Sequence, residues 1–135
     1  MPNGNKDMIK VLSAQQYGKK LKATIQSTGK LGFTEPTAEE FGLDKPCWMK
    51  VANDDEVDGL LYLILIREED PDAFQVCKSG EYYYLPTKYL FDALGYDYQN
   101  KKIMFDIVRV SELDSVLGGL VYRMKRRFGK GKVEE

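Results

Sequence analysis

Apolar and polar residues alternate along much of this chain, which is the pattern of half-buried β-strands. The most apolar run, 60–66, is short and bounded by turn residues, so it predicts a central strand buried on both faces rather than a helix. Further strands are predicted at residues 21–26, 31–33, 48–51, 74–78, 82–85, 103–110 and 120–124. The chain is therefore expected to be rich in short strands.

Two short helices are predicted, each with a proline at its start and a glycine at its end. The first opens at Pro36 and stops at Gly42, and the second opens at Pro86 and stops at Gly95. Proline is tolerated in the first turn because no amide donor is needed there, and glycine readily takes the left-handed conformation that ends a helix. Residues 111–119 predict only a short helical turn.

The two halves of the chain follow the same order of elements: strand, glycine turn, strand, helix, glycine stop, strand, strand. Gly29 and Gly80 lie in the matching turns, and Gly42 and Gly95 in the matching helix stops. Neither half has enough apolar surface for a stable core of its own, so the two are expected to share one. The sequence thus predicts an α+β fold in which two ββαββ-type repeats form one pseudo-symmetric, mainly antiparallel barrel or sheet with two short helices. The predicted single domain spans 1–135, with repeats at about 20–67 and 73–110 and a basic tail at about 123–135.

Short motifs in the second half follow one another as Gly-x-apolar, apolar-Pro and Leu-Gly-apolar. They consist of Val76, Gly80, Tyr82, Tyr84, Leu85, Pro86, Leu90, Leu94, Gly95, Tyr96 and Ile103. In this order they resemble the AbrB/SpoVT/MazE family of swapped-hairpin domains. The first half matches through Ile25, Gly29, Leu31, Phe33, Phe41, Gly42 and Leu43.

Members of that family are typically small dimeric DNA-binding regulators or antitoxins with basic residues near the glycine turn. The resemblance, which covers about 22–110, therefore implies DNA contacts by Lys22, Lys30 and Lys78. Glu81 stands where the family usually has a basic residue, which implies a fused pair with one impaired half that binds DNA asymmetrically or not at all.

A second resemblance begins at Trp48, where four strands are followed by a helix. This order is similar to the Whirly-type single-stranded nucleic-acid-binding fold, in which aromatic residues stack on bases. Tyr82 and Tyr84 share one face of their strand and Tyr83 points the other way. The alternative is that these tyrosines belong to the core, with hydroxyls at its rim. The strand order, swapped-hairpin or Whirly-like, stays open at this point.

Charge is distributed unevenly along the chain. Residues 1–34 carry six lysines and one aspartate, a net charge of +5, whereas 35–72 carry twelve acids and three bases, a net charge of −9. The remaining residues have a net charge of +3. Basic arms neutralise phosphates without sequence preference. The predicted nucleic-acid-binding residues are Lys19, Lys20, Lys22, Lys30, Lys78, Tyr82, Tyr84, Arg123, Lys125, Arg126, Arg127, Lys130 and Lys132.

Several kinds of chemistry are disfavoured by the composition. The chain has no histidine, which removes the usual general base and the usual zinc ligand. Cys47 and Cys77 are too few for a disulfide scaffold or an all-cysteine metal site. No metal and no cofactor are expected. The chain has no 18-residue apolar run and no apolar signal core at its start, so a cytoplasmic protein outside the membrane is predicted.

These features predict a non-enzymatic protein that binds DNA or RNA, with transcriptional regulation as the typical role. The sequence pI of about 5.6 lies below that of most DNA-binding domains. The alternative is therefore a protein–protein interaction or assembly module, in which the acidic middle meets a basic partner. In either case a homo-oligomer, most simply a homodimer, is expected.

Overall fold

Nine antiparallel strands build one sheet in the computed structural model, which describes residues 8–12, 14, 18 and 20–127. The strands are β1 (Leu21–Ile25), β2 (Leu31–Phe33), β3 (Trp48–Asn53), β4 (Leu60–Ile66), β5 (Phe74–Gln75), β6 (Cys77–Ser79), β7 (Tyr82–Leu85), β8 (Ile103–Arg109) and β9 (Leu120–Arg127). Their order across the sheet is β5-β3-β4-β9-β8-β1-β2-β7-β6. The predicted α+β class with a mainly antiparallel sheet is confirmed.

The two edges of this sheet are consecutive in the chain. β5 lies at one edge and β6 at the other, and Val76 alone separates them. The amide of Val76 donates a hydrogen bond to the carbonyl oxygen of Cys47, 2.9 Å away, just before β3. A sheet whose opposite edges are joined by one residue must curl round on itself. The result is a nearly closed, barrel-like sheet.

The interior of the barrel is filled by alternate residues of the strands. Leu63, Leu85 and Phe105 are fully buried there. A second, smaller cluster lies outside the barrel, where Ile64 of β4 packs with Val121. β4 is thus buried on both faces, as its apolar run predicts.

Three short helices lie between residues 20 and 127. They are α1 (Glu35–Phe41), α2 (Lys88–Ala93) and α3 (Asp114–Leu117), the last preceded by a 3-10 turn at Ser111–Leu113. The first two match the predicted helices, and the third is the predicted short turn at 111–119. No helix among the described residues is long and apolar enough to cross a membrane.

Thr37 fixes α1 to the sheet. Its side chain is fully buried, accepts a hydrogen bond from the Lys22 amide at 2.7 Å and donates one to the Lys22 carbonyl oxygen at 3.1 Å. At the other end of α1, Arg67 donates to the carbonyl oxygen of Phe41 at 2.7 Å, and Gly42 ends the helix at φ 66°. Each end of α1 is therefore tied to a strand or to the residue that follows one.

Two predicted elements differ from those in the structure. The predicted strand 74–78 is two strands, because the chain bends at Val76 where it passes from one sheet edge to the other. The last strand continues to Arg127 instead of ending near Met124. Residues 123–127, expected at the start of the basic tail, are thus part of the sheet. In the sheet β4 lies between β3 and β9 and is not paired with β5, the strand that follows it in the chain.

Candidate nucleic-acid interface

The outer surface of β1, β8 and β9 carries four of the predicted basic residues. Cross-strand partners in an antiparallel sheet point to the same face. Lys22 is the partner of Asp106, and Asp106 is the partner of Lys125. Two residues away on either side along β9, Arg123 and Arg127 project from the same surface. Their inward neighbours Tyr122 and Met124 are buried in the core.

Lys20 lies next to these residues. It is exposed directly before β1, and it lines a surface depression of about 480 Å³ together with Asp106 and Arg127. Adjacent strands are about 4.8 Å apart, so Lys22 and Lys125, two strands apart, have Cα atoms roughly 10 Å apart. The surface made by Lys20, Lys22, Arg123, Lys125 and Arg127 is here named the basic face.

Asp106 sits in the middle of the basic face. One of its carboxylate oxygens lies 3.6 Å from Nε of Arg127, and both side chains are about half exposed. An exposed ion pair of this kind contributes little to stability. It does, however, hold a cationic group that a phosphate would otherwise contact.

Replacing this carboxylate with an amide is therefore expected to strengthen binding of a polyanion. Asp106→Asn should lower the dissociation constant for an oligonucleotide by about threefold at low salt, because one negative charge is removed from the face. Fluorescence anisotropy with the two proteins side by side measures the change. Asp97→Asn, an exposed site in the loop after α2, is the matched control and should bind like the wild type. Weaker binding by Asp106→Asn would contradict phosphate contact at this face.

A tyrosine pair lies on the same outer surface, at β7. The rings of Tyr82 and Tyr84 are stacked with centroids 5.8 Å apart and planes 22° apart. Nζ of Lys30 lies 4.5 Å from the centre of the Tyr84 ring, a cation–π contact. Tyr84 is the cross-strand partner of Gly32. The pair is therefore four strands from Arg127, roughly 19 Å along the curved sheet.

Gly32 determines how Tyr82 lies. A Cβ atom at Gly32 would fall 2.0 Å from the Tyr82 hydroxyl oxygen, so the phenol crosses β2 where glycine leaves room. That hydroxyl is buried and has no hydrogen-bond partner among the described residues. Burial raises the pKa of Tyr82, and the neighbouring Tyr84 raises it further. Tyr82 therefore stays neutral and presents mainly its ring, in contact with Tyr84.

The structure does not bring every predicted residue to this surface. Lys78 has the opposite orientation on β6, and its Nζ lies 5.3 Å from the ring centre of Tyr83, on the core side. Arg126 also faces the other way on β9, with its guanidinium 5.6 Å from the ring centre of Tyr96. Strand alternation thus places both residues away from the basic face. Lys19, Lys130 and Lys132 lie outside the described residues.

The acidic turns belong to strands on the other side of β9. One turn joins β3 to β4, and the Asp54 carboxylate accepts hydrogen bonds there from the amides of Glu56 and Val57. The other turn follows β4, where the Asp72 amide, and then Lys50, hold the pKa of Asp70 below its usual value. These carboxylates stabilise their own turns. They lie beside the basic face and not within it.

Asp106 and Gly32 were missed as site residues by the sequence prediction. Gly32 carries a visible signal, because it interrupts the apolar pair Leu31 and Phe33 in the middle of a strand. Such a glycine often marks close approach of another group. Asp106 has no comparable signal, since its position between two bases appears only when β1, β8 and β9 are side by side.

The chain matches no protein-family model, no curated protein and no solved structure. Its function is therefore inferred from the arrangement of its side chains.

Proposed function

We propose that this protein binds nucleic acid without catalysing a reaction on it, through the basic face and the Tyr82–Tyr84 pair. The observation that carries the proposal is the shared orientation of Lys22, Arg123, Lys125 and Arg127 on one outer surface. Among the outward positions of β1, β8 and β9, all of which the structure describes, Asp106 is the single acid. The local charge is therefore clearly positive.

The overall net charge of −1 does not oppose this proposal. Charges in water at physiological salt are screened beyond about 8 Å, so a phosphate at the basic face interacts mainly with the groups beside it. The acidic turns lie across β9, where the Asp54 carboxylate accepts a hydrogen bond within its own turn and Asp70 pairs with Lys50. A protein with separated acidic and basic surfaces can bind a polyanion in one orientation only.

The tyrosine pair favours a single strand over a duplex. Stacking of an unpaired base on an aromatic ring contributes about 1–3 kcal/mol to binding, whereas the bases of a duplex are already stacked on each other. A strand that follows the outer surface from β9 to β7 would meet phosphate-binding groups first and the Tyr84 ring with Lys30 afterwards. We therefore expect single-stranded DNA or RNA to bind more tightly than a duplex of the same sequence.

We also infer that the two halves of the barrel are repeats of one ββαββ unit. β1 and β2 form a hairpin, as do β6 and β7, and the two hairpins meet at β2 and β7. The hairpins β3–β4 and β8–β9 meet in the same manner at β4 and β9. The counterpart of the β1–β8 pair would be β6 with β3. There β3 pairs instead with β5, which precedes β6 by one residue. This arrangement of hairpins is the one expected of two swapped-hairpin units in one chain. Because members of that family are typically regulators of transcription, it supports the same role for this protein.

Cys47 and Cys77 are both free thiols, which suits the reducing cytoplasm proposed for this protein.

Anisotropy of labelled oligonucleotides over a series of KCl concentrations tests the binding proposal. With five basic residues each contacting one phosphate, the logarithm of the association constant should fall against the logarithm of salt with a slope of about −3 to −4 on single strands. A single strand and its duplex, of one sequence, are compared directly. Absence of binding at micromolar protein and low salt would overturn the proposal, and a slope near zero would overturn the phosphate contacts.

A further inference from the structure

One edge of the barrel-like sheet has no partner strand among the described residues. Among the described strands β6 pairs with β7 alone. In that hairpin Ser79 is opposite Tyr82 across the turn residues Gly80 and Glu81. The pair that closes a two-residue turn exchanges both backbone hydrogen bonds, so the next residue, Lys78, directs its amide and carbonyl groups away from β7. β6 can therefore accept a further strand.

A groove runs beside this edge, between the β6–β7 hairpin and α1, with a volume of about 700 Å³. Phe33, Ala38 and Tyr83 contribute apolar surface to it. Its charged lining residues are Glu35, Glu39, Asp44, Glu81 and Lys78. Four carboxylates and one ammonium give this edge groove a negative charge, and its apolar surface is suited to an apolar side chain.

A short apolar segment lies exposed ahead of β1. Met8, Ile9, Val11 and Leu12 are 82%, 73%, 86% and 69% exposed. Single apolar residues on a surface are ordinary. Four large ones within five residues form a contiguous exposed apolar patch, which is typical of a protein interaction site. Lys10, also exposed, gives the segment a positive charge. In the structure Met8 is helical and residues 9–12 belong to neither a helix nor a strand. The sequence Met-Ile-Lys-Val-Leu, with two β-branched residues and no glycine or proline, is suited to form a β-strand when it meets a sheet edge.

We propose that residues 8–12 of one copy of this chain add as a strand to β6 of a second copy. In a strand, Ile9 and Val11 share one face and Lys10 lies on the other. The apolar face matches the floor of the edge groove, and the net positive charge of the segment is complementary to the net negative charge of the groove. Main-chain hydrogen bonds to Lys78 complete the addition. Reciprocal exchange closes a dimer with two identical contacts.

This proposal goes beyond nucleic-acid binding and does not depend on it. The edge groove shares only Tyr82 with the surface assigned to nucleic acid. A protein that binds oligonucleotide but stays monomeric would overturn the strand exchange alone. A dimer that does not bind oligonucleotide would overturn the nucleic-acid proposal alone.

Sedimentation velocity of the full chain over a range of concentrations tests the exchange. The wild type should change from one copy to two as the concentration rises. Val11→Asp places a charge against the apolar floor and should raise the dimer dissociation constant at least about tenfold. Val116→Asp is the matched control, since Val116 is 72% exposed on α3 and should leave dimerisation unchanged. A wild type that stays monomeric, or a dimer that Val11→Asp does not weaken, would overturn the proposal.

A disulfide test locates the contact and remains informative if Val11→Asp fails to fold. Cys77 lies on β6 and is a free, half-buried thiol. Cys77 is the cross-strand partner of Tyr84 and so lies on the side of β6 opposite to Tyr83, which is the side that Leu12 takes in the added strand. In a Cys47→Ser background, Leu12→Cys should therefore give a disulfide-linked dimer on mild oxidation, and a further Cys77→Ser exchange should lower its yield. Val116→Cys in the same background should give no such link to Cys77. A disulfide formed within one chain only would show strand addition in the same copy and would overturn the exchange.

Discussion

Replacing Phe105 with alanine is expected to lower the free energy of unfolding by about 3–5 kcal/mol. Phe105 is fully buried in the middle of β8, which pairs with β1 on one side and β9 on the other. Its ring centre lies 6.1 Å from that of Tyr96, which packs in turn on Phe91 of α2. Removing the ring leaves a cavity between the sheet and α2 that the paired backbone cannot close.

Urea denaturation at equilibrium measures this loss. Because small domains have only about 5–15 kcal/mol of stability, Phe105→Ala should shift the midpoint strongly while the chain still folds. Val108→Ala is the control on the same strand, since Val108 projects outward and is half-buried. It should cost clearly less than Phe105→Ala. Equal effects of the two substitutions would mean that the inner and outer faces of β8 are wrongly assigned.

The elements that sequence could predict are those determined by local chemistry. The alternation at Leu21–Ile25, the apolar run at Leu60–Ile66 and the glycine after α1 each depend on neighbours a few residues away. In these segments prediction and structure agree closely. The break at Val76 could not be predicted in this way. It arises because Phe74–Gln75 pairs with β3 at one edge of the sheet, whereas Cys77–Ser79 pairs with β7 at the other.

The candidate site was only partly predictable for the same reason. Strand alternation places Tyr82 and Tyr84 together, and this is confirmed by the stacking of their rings. The bases at 123–127 were predicted as one cluster, but β9 continues through them and turns Arg126 inward. The basic residues near the start of the chain come close to β9 only because β8 pairs with β1 on one side and with β9 on the other. Together these two pairings bring Lys22 within two strands of Lys125, 103 positions further along the chain, and no local pattern encodes this.

Two double variants that lose the same total charge should distinguish binding by the basic face from attraction by the protein's overall charge. Lys22→Gln with Lys125→Gln removes two cations on either side of Asp106. The association constant for a single-stranded oligonucleotide should fall by about tenfold to thirtyfold near physiological salt, and the salt slope should become less negative by about 1.4. Both changes reflect the loss of two phosphate contacts.

The control is Lys45→Gln with Lys78→Gln, which changes the total charge equally. Lys45 is exposed in the loop before β3, and Lys78 lies over Tyr83 beside the edge groove. Neither belongs to the basic face, so affinity and slope should stay within about twofold of the wild type, because screening confines each charge to its surroundings. If both double variants lost affinity equally, the protein would attract the polyanion through its overall field alone. A loss confined to the first variant assigns the contact to the outer surface of β1, β8 and β9.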